Sequence, residues 1–489
     1  MITTAWVFSR CLALIYLVAF WSLAVQILGL VGSHGILPVG DFLDYVSQAA
    51  PAKRFLLEPT LCWINHSDAF LLFLCWGGVF LSILLLIGIF PVVTASLLWL
   101  FYLSLTVVGQ DFLGFQWDNL LLETGLMLIF LVPTLKPSRL VIWLFRILLF
   151  KLMFESGMVK LLSQDVNWRN LTALTYHYWT QPLPSPISWY AAQLPLWFQK
   201  FSCAVLFIVE LFFPFLIFCG RWCRLIAFFG ITGLQVLIML TGNYCFFNLL
   251  AIGLCLTLLE DVHLMSFSVK RLEWLLVWLS NPSVIARSAE GATKQSFIDG
   301  RQFYKWVCIF FAAFILLMNL CLFANFFSRS TLPKPCEDFI EMISSIRSVN
   351  NYGLFAVMTT QRDEIVLEGS DDQENWLPYE FPYKPGDVDQ APKWVAPYQP
   401  RLDWQMWFAA LGSWQDNQWV LALMERILKG DPAVLHLLAH NPFPNHPPKY
   451  LRATLWEYHF TNDQTKGPHG PWWRRELLGL YCPTVSLRQ

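Results

Sequence analysis

Residues 140–162 read LVIWLFRILLFKLMFESGMVKLL, an apolar run that carries the charged residues Arg146, Lys151, Glu155 and Lys160. As an α-helix the run extends about 35 Å, which is enough to cross a bilayer core of about 30 Å. A charge inside that core is costly unless it is paired or reaches water. Arg146 and Lys160 lie near the ends, where a long side chain can extend to the interface. Lys151 cannot do so, and we predict that it pairs with Glu155, one turn along the same helix face.

A further acidic residue lies in the next apolar run. Glu210 stands halfway along residues 201–219, and we expect it at the depth of Lys151 because consecutive spans run in opposite directions. The sequence therefore predicts an intramembrane polar cluster of Lys151, Glu155 and Glu210. Two interpretations remain open: a salt-bridge lock between helices, or a polar site for a ligand, a proton or a lipid headgroup.

Other apolar runs surround this one. Runs of about 18 or more apolar residues are typical of membrane-spanning helices. We count nine, at residues 10–31, 69–88, 91–108, 119–134, 140–162, 201–219, 222–241, 244–260 and 303–327. Whether 69–108 forms one span or two depends on a short turn at Gly88 and Pro91. The predicted fold class is a multi-pass α-helical membrane bundle of about nine spans over residues 1–332, followed by a soluble α+β domain over 333–489.

The composition agrees with this division. Of the 489 residues, 56% are hydrophobic and 14% are charged, and the mean hydropathy is +0.49. Soluble domains have about 25% charged residues, so a wholly soluble protein is excluded. Residues 1–332 contain 19 Lys and Arg and 15 Asp and Glu, whereas the shorter 333–489 contains 14 and 19. The acidic C-terminal part and the lack of a basic stripe argue against nucleic-acid binding. Membrane lipids are the expected surroundings of the first part.

Lys and Arg in the loops predict the orientation in the membrane. With a cytoplasmic N-terminus, the cytoplasmic loops hold nine of these residues and the opposite loops hold four. The bias is strongest in residues 261–302. An odd number of spans then places residues 333–489 on the non-cytoplasmic side, together with two long outer loops at 32–68 and 163–200. Both loops combine aromatic residues with Pro, as is typical of segments that lie in the membrane interface.

The second outer loop contains one histidine of interest, His177, among aromatic residues in the run TYHYWT. Histidine titrates near neutral pH and can serve as a general acid or base. A histidine surrounded by aromatic side chains is also typical of a hydrogen-bonded structural residue. The sequence leaves both interpretations open.

The C-terminal part has a different pattern. β-rich runs at 352–360, 364–369 and 376–383 predict a short antiparallel β meander. Helical periodicity follows at 402–411, 417–429 and 432–440, with Gly430 as the stop signal of the second helix. Residues 449–461 return to the alternation of a strand. The predicted class is therefore α+β.

Four tryptophans lie in or near the Pro-rich stretch 382–400, namely Trp376, Trp394, Trp404 and Trp407. Extended Pro-rich backbone beside large aromatic side chains suits a protein-binding surface, so these residues are candidates for binding a client protein. The alternative is that they fill the core of the domain.

Two cysteines, Cys336 and Cys482, bracket the C-terminal part. In an oxidising compartment a disulfide between them would close both ends of the domain, which we state as a hypothesis. The sequence has no CxxC motif, no Gly-rich phosphate loop, no GxSxG elbow and no HExxH helix. We therefore assign no catalytic residue, no metal site and no cofactor.

Several longer motifs carry a resemblance to the lipase maturation factor family. In the membrane part they are LALIYLVAF (12–20), GILP (35–38), FQWD (115–118), LLETG (121–125), KLMFESG (151–157) with Lys160, LTYHY (174–178) and QPLP (181–184). In the C-terminal part they are NYGLFAVMTT (351–360), EGS (368–370), YKPG (383–386) and PYQPRLDWQMWFAA (397–410). The resemblance covers nearly the whole chain. The membrane half is also distantly similar to the membrane domain of the vitamin K-dependent carboxylase type, and this fold-level similarity assigns no catalytic role to Lys151 or His177.

The resemblance implies a multi-pass membrane protein that helps dimeric secreted lipases to fold and assemble, without covalent chemistry. Its partners would be client proteins, lipases in the family, engaged by the C-terminal region on the lumenal or periplasmic side. It implies the endoplasmic reticulum membrane in a eukaryote and the inner membrane in a bacterium. The alternative function, suggested by Lys151, Glu155 and Glu210, is an intramembrane enzyme or a protein that handles lipids or quinones.

Overall fold

The structure, a computed structural model, describes residues 2–132, 137–263, 294–328, 334, 340–341, 343–462, 466 and 470–487. The helices up to the last apolar run are α1 Ile2–Ala24, α2 Ile27–Val31, α3 Val39–Ala49, α4 Arg54–Leu57, α5 Asp68–Ile87, α6 Pro91–Val108, α7 Gln116–Leu131, α8 Arg139–Leu162, α9 Val166–Arg169, α10 Leu174–Thr180, α11 Pro186–Ala192, α12 Leu196–Leu211, α13 Phe213–Leu216, α14 Arg221–Thr241, α15 Phe247–Cys255 and α16 Lys294–Ser328. Short 3₁₀ turns lie at Leu61–Trp63, Gln110–Leu113 and Leu256–Leu258.

Six helices in the described ranges are long and apolar enough to cross a membrane: α1, α5, α6, α12 with α13, α14 and α16. The predicted count of nine spans is not confirmed. α7 has 16 residues and α15 has 9, so they extend only about 24 Å and about 14 Å. α8 has 24 residues, but its charged side chains make it too polar to qualify by composition.

Residues 69–108 form two helices. Ser67 caps the start of α5 by accepting a hydrogen bond from the Phe70 N–H at 3.3 Å. Gly88 ends α5 with a left-handed φ of +86°, and Pro91 begins α6 as its first residue. Glycine adopts this φ without strain and proline fits the first turn of a helix, so the local sequence explains the break.

The C-terminal part is α+β, as predicted, and its sheet is antiparallel. It comprises β1 Asp363–Ser370, β2 Leu377–Pro378, α17 Arg401–Ala410, α18 Gln418–Lys429, α19 Pro432–Leu435, β3 Tyr450–Phe460 and β4 Trp473–Val485. The strand order is β2-β1-β3-β4, with antiparallel pairing throughout. Gly430 has a φ of +71° and ends α18, which confirms the predicted stop. The predicted domain boundary at 332 lies outside the described residues.

The predicted meander is wrong in two respects. Residues 352–360 form no strand, because the backbone N–H groups of Tyr352, Gly353 and Met358 bond to side chains of the membrane part. The third predicted strand pairs with β1 only at Leu377–Pro378 and has one isolated bridge, from Glu380 to His440, while β1 takes β3 as its main partner. β4 was not predicted, because its bulges and Pro483 break the alternation of apolar and polar residues.

The two parts of the chain share one hydrophobic core. Phe112 of the membrane part meets Trp419 of α18 edge-to-face at 5.6 Å, and the rings of Trp117 and Trp404 are 4.7 Å apart. The C-terminal part is therefore packed onto the ends of the membrane helices rather than held away from them on a linker.

This close packing predicts that Gly29 in α2 cannot be replaced by a larger residue without a loss of stability. A Cβ there would lie 2.4 Å from the Ala433 carbonyl oxygen and 2.8 Å from the Leu437 side chain. We expect Gly29→Ala to destabilise the protein by about 1–3 kcal/mol, because backbone must shift to relieve the overlap. Gly233→Ala is the matched control, since no described atom lies within 4 Å of that Cβ. Thermal unfolding in detergent measures both variants, and equal melting temperatures would contradict the close approach.

Candidate functional site

The charged residues of α8 lie where the membrane helices meet the C-terminal part. Lys151 donates to the Glu123 carboxylate of α7 at 2.9 Å and to the Asn319 side-chain oxygen of α16 at 2.5 Å. The partner of Lys151 is therefore Glu123, and the predicted pairing with Glu155 is wrong. Helical spacing identifies the nearest carboxylate on the same helix but does not reveal a closer one on a neighbour.

The C-terminal part covers this ion pair. The Tyr352 hydroxyl donates to the second Glu123 oxygen at 2.7 Å, and the Asn350 N–H donates to it at 3.2 Å. The Lys151 ammonium also lies 5.2 Å from the centre of the Tyr352 ring. Glu123, Lys151 and Tyr352 are all buried. Both carboxylate oxygens thus have donors, as a buried charge requires.

We name residues 350–358 the docking segment, because its backbone bonds to side chains of the membrane part. The Tyr352 N–H donates to Glu155 at 2.7 Å, the Gly353 N–H to Gln116 at 3.2 Å, and the Met358 N–H to Asp165 at 2.6 Å. In a sheet these N–H groups would donate to the carbonyls of a neighbouring strand. Here side-chain oxygens accept the hydrogen bonds instead. The predicted strand is thus replaced by an irregular segment held on the membrane helices.

Glu210 belongs to a second ion pair. Lys160 donates to both Glu210 oxygens at 2.9 Å and lies 5.4 Å from the centre of the Trp168 ring. Lys160 was expected to extend to the interface, but it is buried and paired instead. The predicted cluster therefore divides into Lys151 and Glu155 beneath the docking segment and Glu210 with Lys160.

A third buried ion pair was missed by the sequence reasoning. Arg401, at the start of α17, donates to both oxygens of Asp118 in α7 at 2.9 and 3.0 Å, and to the Phe112 carbonyl at 2.8 Å. The Tyr102 hydroxyl also donates to Asp118. Asp118 and Arg401 have no exposed surface. Both residues lie in motifs that carry the family resemblance, FQWD and PYQPRLDW. Their place in these motifs was the sequence feature that could have identified Asp118 and Arg401 as candidates.

Uncharged side chains of the membrane part bind the same region. Gln26 accepts from the Arg401 N–H at 2.9 Å and donates to the Gln399 carbonyl at 2.8 Å. Asn243 accepts from the Val395 N–H at 2.8 Å and donates to the Lys393 carbonyl at 2.8 Å. The Pro-rich stretch 382–400 is thereby tied to the membrane helices near its C-terminal end.

The outer loop 163–200 contacts the sheet through a buried arginine. Arg362 donates to the carbonyls of Trp179, Gln181 and Pro182, and its guanidinium lies 2.8 Å from Glu364. The QPLP motif therefore supplies backbone carbonyls to Arg362. These contacts attach residues 179–182 to the C-terminal part.

The four tryptophans fall into two groups. Trp404 and Trp407 are only 3% and 5% exposed, so neither can contact a client in this conformation, and the expectation that they line a binding surface is corrected. Trp404 packs on Trp117, and the Trp407 indole donates to the Thr180 carbonyl at 2.9 Å. Trp394 is 53% exposed, and Trp376 is half-buried under the Arg452 guanidinium, 4.2 Å from the ring centre. These two remain the client-binding candidates.

His177 has the surroundings of a structural residue. Its Nε2 lies 3.1 Å from the Tyr244 hydroxyl, and the Phe355 ring of the docking segment meets it edge-to-face at 4.9 Å. Burial lowers the pKa of His177 from 6.5 to about 4, and the positive charge of Lys160 acts in the same direction. The imidazole is therefore neutral at physiological pH.

This depressed pKa predicts a pH dependence. The unfolded chain binds a proton at His177 below about pH 6.5 while the folded protein does not, so this residue lowers the free energy of unfolding as the pH falls towards about 4. We expect His177→Gln, whose amide can still form a hydrogen bond with the Tyr244 hydroxyl, to lose less thermal stability than the wild type between about pH 7 and about pH 5. Melting curves at both pH values test this, and parallel losses would contradict it.

The proposed disulfide lies partly outside the described residues. Cys482 is buried in β4, whereas Cys336 is not among the residues that the structure describes. The pairing of the two cysteines stays a prediction. Mass analysis with and without a reductant would measure it directly.

Comparison with known proteins agrees with the motifs. A family model described as the lipase maturation factor transmembrane domain matches residues 3–266, and one described as the lipase maturation factor C-terminal domain matches residues 348–483. Lipase maturation factor 2 of Gallus gallus is 37% identical, with 98% of this chain and 81% of the relative aligned. Lipase maturation factor 2 of Homo sapiens is 35% identical, with 98% and 82% aligned.

The similarity extends to a second group of relatives. Lipase maturation factor 1 of Homo sapiens is 31% identical, with 99% of this chain and 88% of the relative aligned. No solved structure matches the chain. The two family models cover the helices up to α15 and the sheet of the C-terminal part, and the relatives align over nearly the full chain. This chain is therefore a member of the lipase maturation factor family.

Proposed function

We propose that this chain is a membrane-anchored maturation factor that helps dimeric secreted lipases to fold and assemble. In this proposal the C-terminal part lies on the lumenal or periplasmic side and engages the client without covalent chemistry. The names of the relatives support a lipase client, and their alignment over both parts of the chain supports a shared role.

The observation that carries the proposal is the buried attachment of the C-terminal part. Arg401 with Asp118, and Tyr352 with Glu123, bury charged and polar groups between the two parts of the chain. Such contacts hold a surface in a fixed position relative to the bilayer. A surface that is fixed beside the membrane is suited to binding client chains that emerge from the membrane.

The same contacts support the lock interpretation of the intramembrane charges. Lys151 donates to Glu123 and to Asn319, while Glu155 accepts from the docking segment. We propose that they fasten the C-terminal part to the helices rather than bind a lipid or a quinone.

Co-expression tests the function. The chain is expressed in cells that lack lipase maturation factors, together with a dimeric secreted lipase. We expect secreted lipase activity and the dimer fraction on a sucrose gradient to rise above the vector control, while a monomeric secreted lipase does not respond. Equal activity with the chain and with the empty vector would refute the proposal.

An engineered glycosylation site tests the orientation. Leu377→Thr creates the sequon Asn-Trp-Thr at Asn375, and both positions are exposed. If the C-terminal part is lumenal, the variant gains an endoglycosidase-sensitive glycan in microsomes relative to the wild type. The orientation is wrong if there is no glycan and protease digests the C-terminal part in sealed microsomes.

A further inference from the structure

The sheet of the C-terminal part has two very different edges. One edge is β2, which is two residues long and contains Pro378, a proline that cannot donate to a neighbouring strand. The other is β4, which is 13 residues long, pairs with no described strand besides β3, and has one loop contact, from the Trp473 N–H to the Val388 carbonyl at 3.1 Å. A long edge of this kind presents unpaired N–H and C=O groups that another strand can use.

The side chains of β4 are unusually apolar for an exposed edge. Leu477, Leu478 and Leu480 are 53%, 51% and 61% exposed. A single exposed leucine needs no explanation, but antiparallel sheets normally turn polar residues to the solvent. Three exposed leucines within four positions of one unpaired strand favour an interaction surface.

Bulges limit where a partner can pair. The register of β4 against β3 is regular from Trp473 to Leu477 and shifts at three points beyond it. The first shift lies at Leu478, which has no Cα partner in β3. A partner strand would therefore pair with the regular part of β4, from Trp473 to Leu477. It would bury apolar side chains against the exposed leucines of β4.

The charges of β4 indicate what that partner carries. Arg474 and Arg475 are exposed at the regular half, followed by Glu476, whereas residues 333–489 as a whole are acidic. Arg475 lies over the Trp456 ring at 4.4 Å and donates to the Tyr458 hydroxyl at 3.0 Å. A locally basic edge on an acidic domain is complementary to a segment with acidic residues at one end.

We infer that β4 is a docking edge for an extended segment of the client, apolar in its centre and acidic at one end, which adds to the sheet as a fifth strand. Backbone hydrogen bonds would supply affinity, and the leucines and arginines would select the segment. This inference rests on the proposed function and names the surface that engages the client.

The test uses the full-length protein in detergent and a fluorescent synthetic peptide of alternating Val and Thr with two acidic residues at one end. Leu478→Lys/Leu480→Lys places charges on the exposed edge, and we expect it to weaken peptide binding about tenfold or more. Arg474→Glu should weaken binding of this peptide and reduce its dependence on salt. Leu377→Lys, which changes a leucine on the opposite edge that is 45% exposed, is the matched control and should bind as the wild type does.

Folding of each variant is checked by its melting temperature, and Leu478→Val, which keeps an apolar side chain, should retain binding. The inference is overturned if the double lysine variant binds the peptide as tightly as the wild type. It is also overturned if the double lysine change instead dissociates a dimer of this chain.

Lipase capture separates the inference from the proposed function. If the double lysine variant loses the peptide but co-purifies a dimeric lipase as well as the wild type does, the edge is not the client site and the proposed function stands. If the wild type binds the peptide but neither captures nor matures a lipase, the proposed function fails and the client assignment of the edge fails with it. The inference is supported if the double lysine variant loses both peptide binding and lipase capture while the wild type keeps both.

Discussion

Arg401→Met is expected to destabilise the protein by about 3–5 kcal/mol, because it leaves the Asp118 carboxylate buried without its partner. The substitution also removes the bond to the Phe112 carbonyl, which lies in the turn before α7. We expect a lower melting temperature and faster proteolysis of the C-terminal part in detergent.

Two further variants isolate the ion pair. Asp118→Asn combined with Arg401→Met removes both charges, and we expect it to be more stable than Arg401→Met alone. Lys429→Met breaks an exposed pair with Glu425 and should change stability by only about 0–1 kcal/mol. A wild-type melting temperature for Arg401→Met would show that this pair does not hold the two parts together.

Lys151→Met is the second large effect that we expect. It leaves Glu123 charged and buried, with only the Tyr352 hydroxyl and the Asn350 amides as donors, and should lower stability by about 3–5 kcal/mol. Maturation of a co-expressed lipase should fall in parallel with the amount of folded protein.

The double variant Lys151→Met/Glu123→Gln distinguishes the two interpretations of the intramembrane charges. Glutamine can still accept from Tyr352, so a structural lock predicts partial recovery of both stability and activity. An intramembrane ligand or catalytic site predicts the opposite for Lys151→Met: lost function with a wild-type melting temperature. That second outcome would refute the lock and favour an enzyme or a lipid- or quinone-handling protein.

The sequence predicted those features that depend on neighbouring residues. Hydropathy located α1, α5, α6, α14 and α16, because the length and apolarity of a span are local properties. Helical periodicity and Gly430 located α18, since a left-handed C-terminal stop is encoded in a few residues. The motifs identified the family because they too are short stretches of neighbouring residues.

The partners of the charged residues could not be predicted in this way. Lys151 and Glu123 are 28 positions apart, and Arg401 and Asp118 are 283 apart. Spacing along one helix suggested Glu155, but packing brought Glu123 closer to Lys151.

Apolar helices followed by an acidic α+β part could be predicted from the sequence alone, because both depend on local composition and periodicity. The folded structure was needed to show that these parts share one core, that residues 350–358 dock on the helices instead of forming a strand, and that Trp404 and Trp407 are buried. The physical reason is that a buried donor or charge takes its partner from whatever packing brings within about 3 Å, and that partner is set by the fold rather than by sequence distance.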